Sequence, residues 1–336
     1  MLTQPGEGAA RPAVRRAADP AELVARAGEG DPRAVARLIS LVEDASPQLR
    51  EVMALLAPRT GRARVVGLTG SPGVGKSTST AALVGALRRQ GKRVGVLAVD
   101  PSSPFSGGAL LGDRVRMQDH ATDRHVFIRS MASRGHLGGL SWATPQALRV
   151  LDAAGCDVIL VETVGVGQAE VEVASLADST IVLLAPGMGD SIQAAKAGIL
   201  EIADLFVVNK ADRDGTEQTV RDLRYMLSLG DKRDADRWRP PILKTVATQE
   251  QGVDEVAEAL DGHYEWLERT GELHRRRRAR ACQEVEELAV AALRARMGDV
   301  HGSTALQALA DRVIGGELDP YAAADELVAA VTAPDA

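Results

Sequence analysis

The chain has 336 residues, 45% of them hydrophobic but only 3% aromatic, and a formal net charge of −6. That length holds one large α/β domain with helical additions, its core filled by Ala, Val and Leu. The acidic balance excludes a protein that binds nucleic acid over its whole surface. Two cysteines, Cys156 and Cys282, exclude a disulfide framework and a cysteine metal cluster. No apolar run is long enough to span a membrane, and a cytoplasmic setting is expected.

In chain order, residues 1–18 are rich in Ala, Arg, Pro and Gly, lack the apolar stretch of a secretory signal, and are expected to be a disordered tail. Asp19-Pro20-Ala21-Glu22, Asp31-Pro32 and Ser46-Pro47 each set a capping residue before a proline, a helix-start signal. Val35, Leu38, Leu41 and Val42 recur at helical spacing. Residues 19–60 are therefore expected to form a small helical subdomain.

From Arg64 the pattern changes to short apolar runs separated by helices. Residues 65–68, 94–99, 158–161, 181–184, 205–208 and 242–246 read as strands. Continuous Val/Ile/Leu runs imply strands covered on both faces, hence a mostly parallel sheet in an α/β domain over 61–262. Beyond it the strands stop. An apolar stripe runs through Cys282, Val285, Leu288, Ala289, Ala292 and Leu293; a second helix over 303–314 ends at Gly315-Gly316; Asp319-Pro320 caps a third reaching about Val331. A complete α/β core does not need three more helices, so residues 263–336 read as a dimerisation arm. The arginines at 275–278 and 280 read as a solvated helix face able to pair with Glu284, Glu286 and Glu287.

The chemistry is concentrated at strand ends. Gly70-Ser71-Pro72-Gly73-Val74-Gly75-Lys76-Ser77, followed by Thr78, fits G-x-x-x-x-G-K-[ST] between a strand and a helix over 78–89. Glycines let the N–H groups around Gly73, Val74 and Gly75 turn toward phosphates, Lys76 bridges the β- and γ-phosphates, and the Ser77 hydroxyl ligates Mg²⁺. The helix N-terminus adds its partial positive charge. Asn209-Lys210-Ala211-Asp212 directly follows the strand over 205–208. There the Asp212 carboxylate can accept from guanine N1–H and the exocyclic amine, a pattern adenine lacks. Residues 245–249 are the expected second guanine loop, acting through the Ala247 N–H.

Glu162-Thr-Val-Gly165 resembles the D-x-x-G of GTPases with Glu in place of Asp. Glu162 would hold Mg²⁺ or its waters, and the Gly165 N–H would sense the γ-phosphate. Asp100 and Asp113 are further acidic candidates. Mg²⁺ takes only one or two carboxylates, so some of these three engage only when loops close.

Five strings together are far more specific than a phosphate loop: Val99-Asp-Pro-Ser-Ser-Pro104, Gly112-Asp-Arg-Val-Arg-Met117, Ser133-Arg-Gly-His-Leu-Gly-Gly-Leu140, Glu162-Thr-Val-Gly-Val-Gly-Gln168 and Pro186-Gly-Met-Gly-Asp190. Through them nearly the whole chain resembles the MeaB/ArgK family, metallochaperone-type GTPases of the class that includes nickel-insertion and signal-recognition GTPases. The resemblance implies a homodimeric G-protein chaperone of an adenosylcobalamin-dependent acyl-CoA mutase, typically methylmalonyl-CoA mutase, that gates cofactor delivery from the adenosyltransferase. It makes Asp100 and Asp113 the brackets of a first switch, 162–168 a second and 187–199 a third, with Asp190 and Lys196 as polar members. Gln168 stands near the place of a water-positioning Gln, and Arg134 and His136 belong to a matched string without an assigned role. Asp299-Val-His301 begins a D-x-H-x-x-G cobalamin motif, but Thr304 stands where its glycine is needed, so the chain is expected to govern cobalamin without carrying it in that mode.

Three rival readings differ on particular features. A nickel-inserting GTPase calls for a His-rich tract or Cys/His ligands, whereas the six histidines here are scattered. An ATPase or kinase linked to arginine and ornithine transport is opposed by N-K-A-D. A non-catalytic scaffold is distinguished by the absence of turnover.

Overall fold

The computed structural model of the chain describes residues 19–100, 117, 120, 122–132, 143–163, 169–187, 199–229, 237–297 and 304–332, without the side chains of 100, 169–171, 199–200, 296–297 and 331–332. The chain divides into two compact units, with the division between Thr270 and Gly271. The expected tail at 1–18 lies outside the described residues.

The described residues begin with α1 (Pro20–Gly28), α2 (Pro32–Glu43) and α3 (Leu49–Leu56). Asp19 Oδ1 accepts from the Ala21 N–H at 3.0 Å and Asp31 Oδ1 from the Arg33 N–H at 2.8 Å, so both Asp-Pro signals work as caps. Ser46-Pro47 behaves differently. Its hydroxyl accepts from the Gln48 N–H in a turn, and the helix starts only at Leu49 without a side-chain cap.

Seven parallel strands follow: β1 (Arg64–Thr69), β2 (Val94–Asp100), β3 (Val126–Ala132), β4 (Val158–Thr163), β5 (Ser179–Leu184), β6 (Leu205–Asn209) and β7 (Ile242–Thr245), in the order β3-β2-β4-β1-β5-β6-β7. The crossovers carry α4 (Lys76–Arg89), α5 (Thr144–Ala153), α6 (Ala169–Leu176), the single turn α7 (Ile199–Ile202) and α8 (Thr216–Leu229); α9 (Val253–Thr270) closes the unit. One face of the sheet packs on α4 and α9 through Leu68, Leu83, Val96, Leu160, Val207 and Val256. The mostly parallel α/β sheet is thus as expected from the apolar runs.

Two features depart from that expectation. No strand was expected between 100 and 158, yet β3 pairs along the whole of β2. Arg129 and Ser130 interrupt its apolar run, because β3 is an edge strand whose Arg129 reaches across to Glu43 and Ser40 of α2. The helices at 19–60 are also not a core of their own. Leu23, Leu38 and Val52 belong to one apolar cluster with Leu97, Phe127 and Ile159 of the sheet, since each helix has a single apolar face and the open side of the sheet is where it can be buried.

The boundary expected at 262–263 lies inside α9, where His263, Tyr264 and Leu267 are buried. His263 is held between Ser179 (Oγ to Nδ1, 2.7 Å) and Asp204 (Oδ1 to Nε2, 3.3 Å), against the rings of Trp238 and Trp266. Ser179 is itself buried. This Ser–His–Asp group therefore fastens α9 to the starts of β5 and β6 and presents no nucleophile.

The second unit comprises α10 (Glu272–Met297), α11 (Thr304–Ile314) and α12 (Pro320–Thr332). Arg312 ties α11 to α12 through Glu326 at 2.6 Å, and Asp319 Oδ1 caps α12 by accepting from the Tyr321 N–H. Arg275 and Arg276 pair with Glu272 in the first turn of α10. Val285, Leu288 and Leu293 on α10 are exposed.

Candidate nucleotide site

The strand order brings the C-terminal ends of β4, β1, β5, β6 and β7 side by side, the edge at which open parallel sheets bind ligands. The described site residues predicted from sequence lie on or just after one of these ends or at the start of α4, except Asp100, which ends β2 on the far side of β4.

The phosphate loop leaves β1 and enters α4 through Gly75, whose φ of +94° and proximity to β6 admit no side chain: a Cβ there would lie 2.5 Å from Asn209 Nδ2. Lys76, the first residue of α4, folds over the loop and donates to the Gly70 carbonyl at 2.6 Å and the Ser71 carbonyl at 3.2 Å. Its ammonium is therefore already poised over the cradle, held by acceptors that a phosphate oxygen can replace. Ser77 Oγ donates to Glu162 Oε1 at 2.6 Å, and both residues are buried. Thr78, next on the helix, is half-buried. Thr80 turns its hydroxyl back onto the Lys76 carbonyl at 3.0 Å, bracing the first turn.

The side expected to meet the base is built around Asn209. Its Nδ2 donates to the Val74 carbonyl at 2.9 Å, while its Oδ1 accepts from Thr245 Oγ1 at 3.2 Å and from the Ala247 N–H at 3.1 Å. Both acceptor sites of the amide oxygen are thus filled internally. Asn209 staples the phosphate loop to the loop after β7. The Ala247 N–H, expected to face guanine, is engaged by that staple, because Thr245 and Ala247 sit beside the end of β6. Lys210, at φ +58°, lays its ammonium on the Gly73 carbonyl at 2.6 Å. Asp212 stands exposed beyond it, with the loop braced by Thr216 Oγ1 on the carbonyls of Ala211 and Arg213.

Gly252, absent from the sequence-derived set, also shapes this side. At φ +74° it passes so close to the Lys244 carbonyl that any Cβ would collide, and the only chain signal for it was a glycine before a helix. Asp113, Gly165, Gln168, Arg134, His136, Asp190, Lys196 and the 299–301 string lie outside the described residues, as does the side chain of Asp100.

No group of three or more His, Cys, Asp or Glu side chains suited to a metal occurs among the described residues. Hard oxygen donors converge instead at Ser77 and Glu162, a set that fits Mg²⁺, which takes one or two protein oxygens and leaves the rest to waters and phosphates.

A G-x-x-x-x-G-K-S loop after β1 and an N-K-x-D string after β6 of one parallel sheet are marks of the P-loop GTPases, and the chain is one of them. It belongs to the family described as methylmalonyl Co-A mutase-associated GTPase MeaB, whose model matches residues 35–301. A Pyrococcus horikoshii protein is 50% identical over 305 residues, 90% of this chain and 96% of its own length. The GTPase ArgK of Escherichia coli is 39% identical over 269 residues, 78% of this chain and 81% of that one. A Caenorhabditis elegans protein named methylmalonic aciduria type A homolog, mitochondrial, is 38% identical over 63% of this chain and 54% of its own. A crystal structure of a LAO/AO transport system kinase superposes with a TM-score of 0.68 at 29% identity, covering 92% of this chain and 96% of the other. No described helix is long and apolar enough to cross a membrane.

Proposed function

We propose that the chain binds Mg²⁺·GTP and hydrolyses it slowly, acting as a chaperone of an adenosylcobalamin-dependent acyl-CoA mutase, with methylmalonyl-CoA mutase the first candidate. The observation that carries the nucleotide reading is the Asn209 staple between Val74 and Ala247, which joins a phosphate cradle to a guanine-type loop. Lys76 exchanges the Gly70 carbonyl for β- and γ-phosphate oxygens, and the N–H groups of 73–75 hold the phosphate chain. Asp212 accepts from the guanine edge. Mg²⁺ would be held through Ser77 Oγ and the Glu162 carboxylate or its waters, and would neutralise charge on the phosphates. Asp100, Asp113 and Gly165 are assigned to the switch segments around it.

The mutase reading is supported by the family description and by the name of the nematode relative; the adenosyltransferase is a further partner. The unit after Thr270 is assigned to homodimerisation, supported by the exposed Val285, Leu288 and Leu293 at helical spacing on α10. Steady-state GTP and ATP hydrolysis, with and without an acyl-CoA mutase from the same genome, tests the whole reading. Slow GTP turnover that rises with mutase supports it. GTP turnover indifferent to every such mutase keeps the GTPase and removes the chaperone role.

A further inference from the structure

Behind the guanine loop the core is not fully packed. A cavity of about 20 Å³, counted as space open to the centre of a water molecule, lies between α4, β1, β5, β6, β7 and α9 and is lined by Ser79, Leu83, Val207, Thr245, Ala247 and Val256 among others. That is room for one water and too little for an organic molecule. A purely apolar cavity of this size would stay dry, but two of the residues that line it, Ser79 and Thr245, carry hydroxyls. Ser79 Oγ is buried without a hydrogen-bond partner among the described residues, a costly state for a hydroxyl. Thr245 Oγ1 spends its proton on Asn209 Oδ1 at 3.2 Å and, as a hydroxyl, can accept in turn.

We propose that this cavity is the site of one long-lived water molecule that bridges Ser79 to Thr245. The water accepts the Ser79 hydroxyl proton and donates to Thr245 Oγ1, whose own proton stays on Asn209 Oδ1. The Asn209 amide then donates to Val74, so the polar chain leaves α4, crosses the core and returns to the phosphate loop. Chains of this kind strengthen link by link in a low-dielectric interior. The water holds Thr245, and through it the Asn209 staple, in the arrangement a nucleotide meets. The water stands on the cavity and its hydroxyls; its effect on nucleotide affinity rests on the guanine-site reading above.

Oxygen-17 water relaxation dispersion on the nucleotide-free full chain counts long-lived internal waters. Ser79→Ala, which removes the hydroxyl, and Ser79→Val, which also fills the space, are each expected to lower that count by one while circular dichroism stays unchanged. An unchanged count in both variants overturns the site. Calorimetric titration with GDP is expected to show Ser79→Ala weaker by about three- to tenfold, the factor for one net hydrogen bond. A lowered count with unaltered GDP affinity overturns the coupling to the staple. Failure of the parent chain to bind GDP would count against the guanine reading, and the water count would still decide the site.

Discussion

Ser77 Oγ and Glu162 Oε1 lie 2.6 Å apart although 85 residues separate them in the chain. The contact joins the first turn of α4 to the end of β4 and sets a hydroxyl and a carboxylate side by side at the phosphate cradle. Glu162→Gln keeps the shape and the acceptor but removes the charge. GDP binding is expected to persist, with GTP turnover falling at least about tenfold, as for loss of one electrostatic contribution in the transition state. Phosphate release measured beside nucleotide fluorescence checks this, and undiminished turnover would remove Glu162 from the mechanism.

Lys76→Ala deletes the ammonium that now rests on Gly70 and Ser71. Its loss is expected to abolish GTP and GDP binding in calorimetry while circular dichroism and Tm stay near those of the parent. Retained affinity would contradict the phosphate-loop assignment.

Asp212→Asn replaces an acceptor by a donor at an exposed position of the loop. Preference is expected to move from GTP toward xanthosine triphosphate by roughly a hundredfold or more, as when a polar site meets the wrong edge. Competition titrations with the two nucleotides measure the ratio, and an unmoved ratio would end the guanine claim.

Burial pushes the Cys156 thiol up to about 12, against a thiol's ordinary value near 8.5. Thiolate is the reactive form, so Cys156 is expected to escape iodoacetamide at pH 8 in the native chain and to be modified once the chain unfolds. Mass mapping of both samples distinguishes the cases. Rapid native labelling would mean that the packing around β2 and α5 opens.

Asp123 is held below the usual carboxylate range, first by the Arg88 side chain at 2.7 Å and then by the His125 N–H. Its folded value is lowered, so the stabilisation is fully present above about pH 4 and fades as pH falls through the folded value. With both side chains partly exposed, the pair is worth about 0.5–1 kcal/mol. Asp123→Asn should lower Tm slightly at pH 7 and approach the parent toward pH 3. A constant difference at both pH values would assign the effect to packing.

The missed strand and the unforeseen packing partner of the helices share one cause. Sequence periodicity reports how a segment is buried, and β3 is buried unevenly: Arg129, between Phe127 and Met131 on the face that α2 covers, pairs with Glu43, so the run looked broken. Val35, Leu38, Leu41 and Val42 showed an apolar stripe plainly, yet a stripe does not name its partner, and Leu97, Phe127 and Ile159 supply it only once the sheet exists. Ser46-Pro47 carried the right residue types for a start, but its hydroxyl closes a turn one step early.

Residue spacing alone marked the phosphate-loop motif, the acid at the end of β4 and the N-K-x-D string after β6, because each lies within a few consecutive residues at a strand end. Tertiary structure decided how those pieces act on one another. Strand order sets β1 between β4 and β5, with β6 and β7 beyond, and so brings Ser77 to Glu162 and turns Asn209 onto Val74, 135 residues away. Local pattern specifies which side chains stand at a strand's end. Which ends become neighbours depends on how the whole sheet buries its two faces.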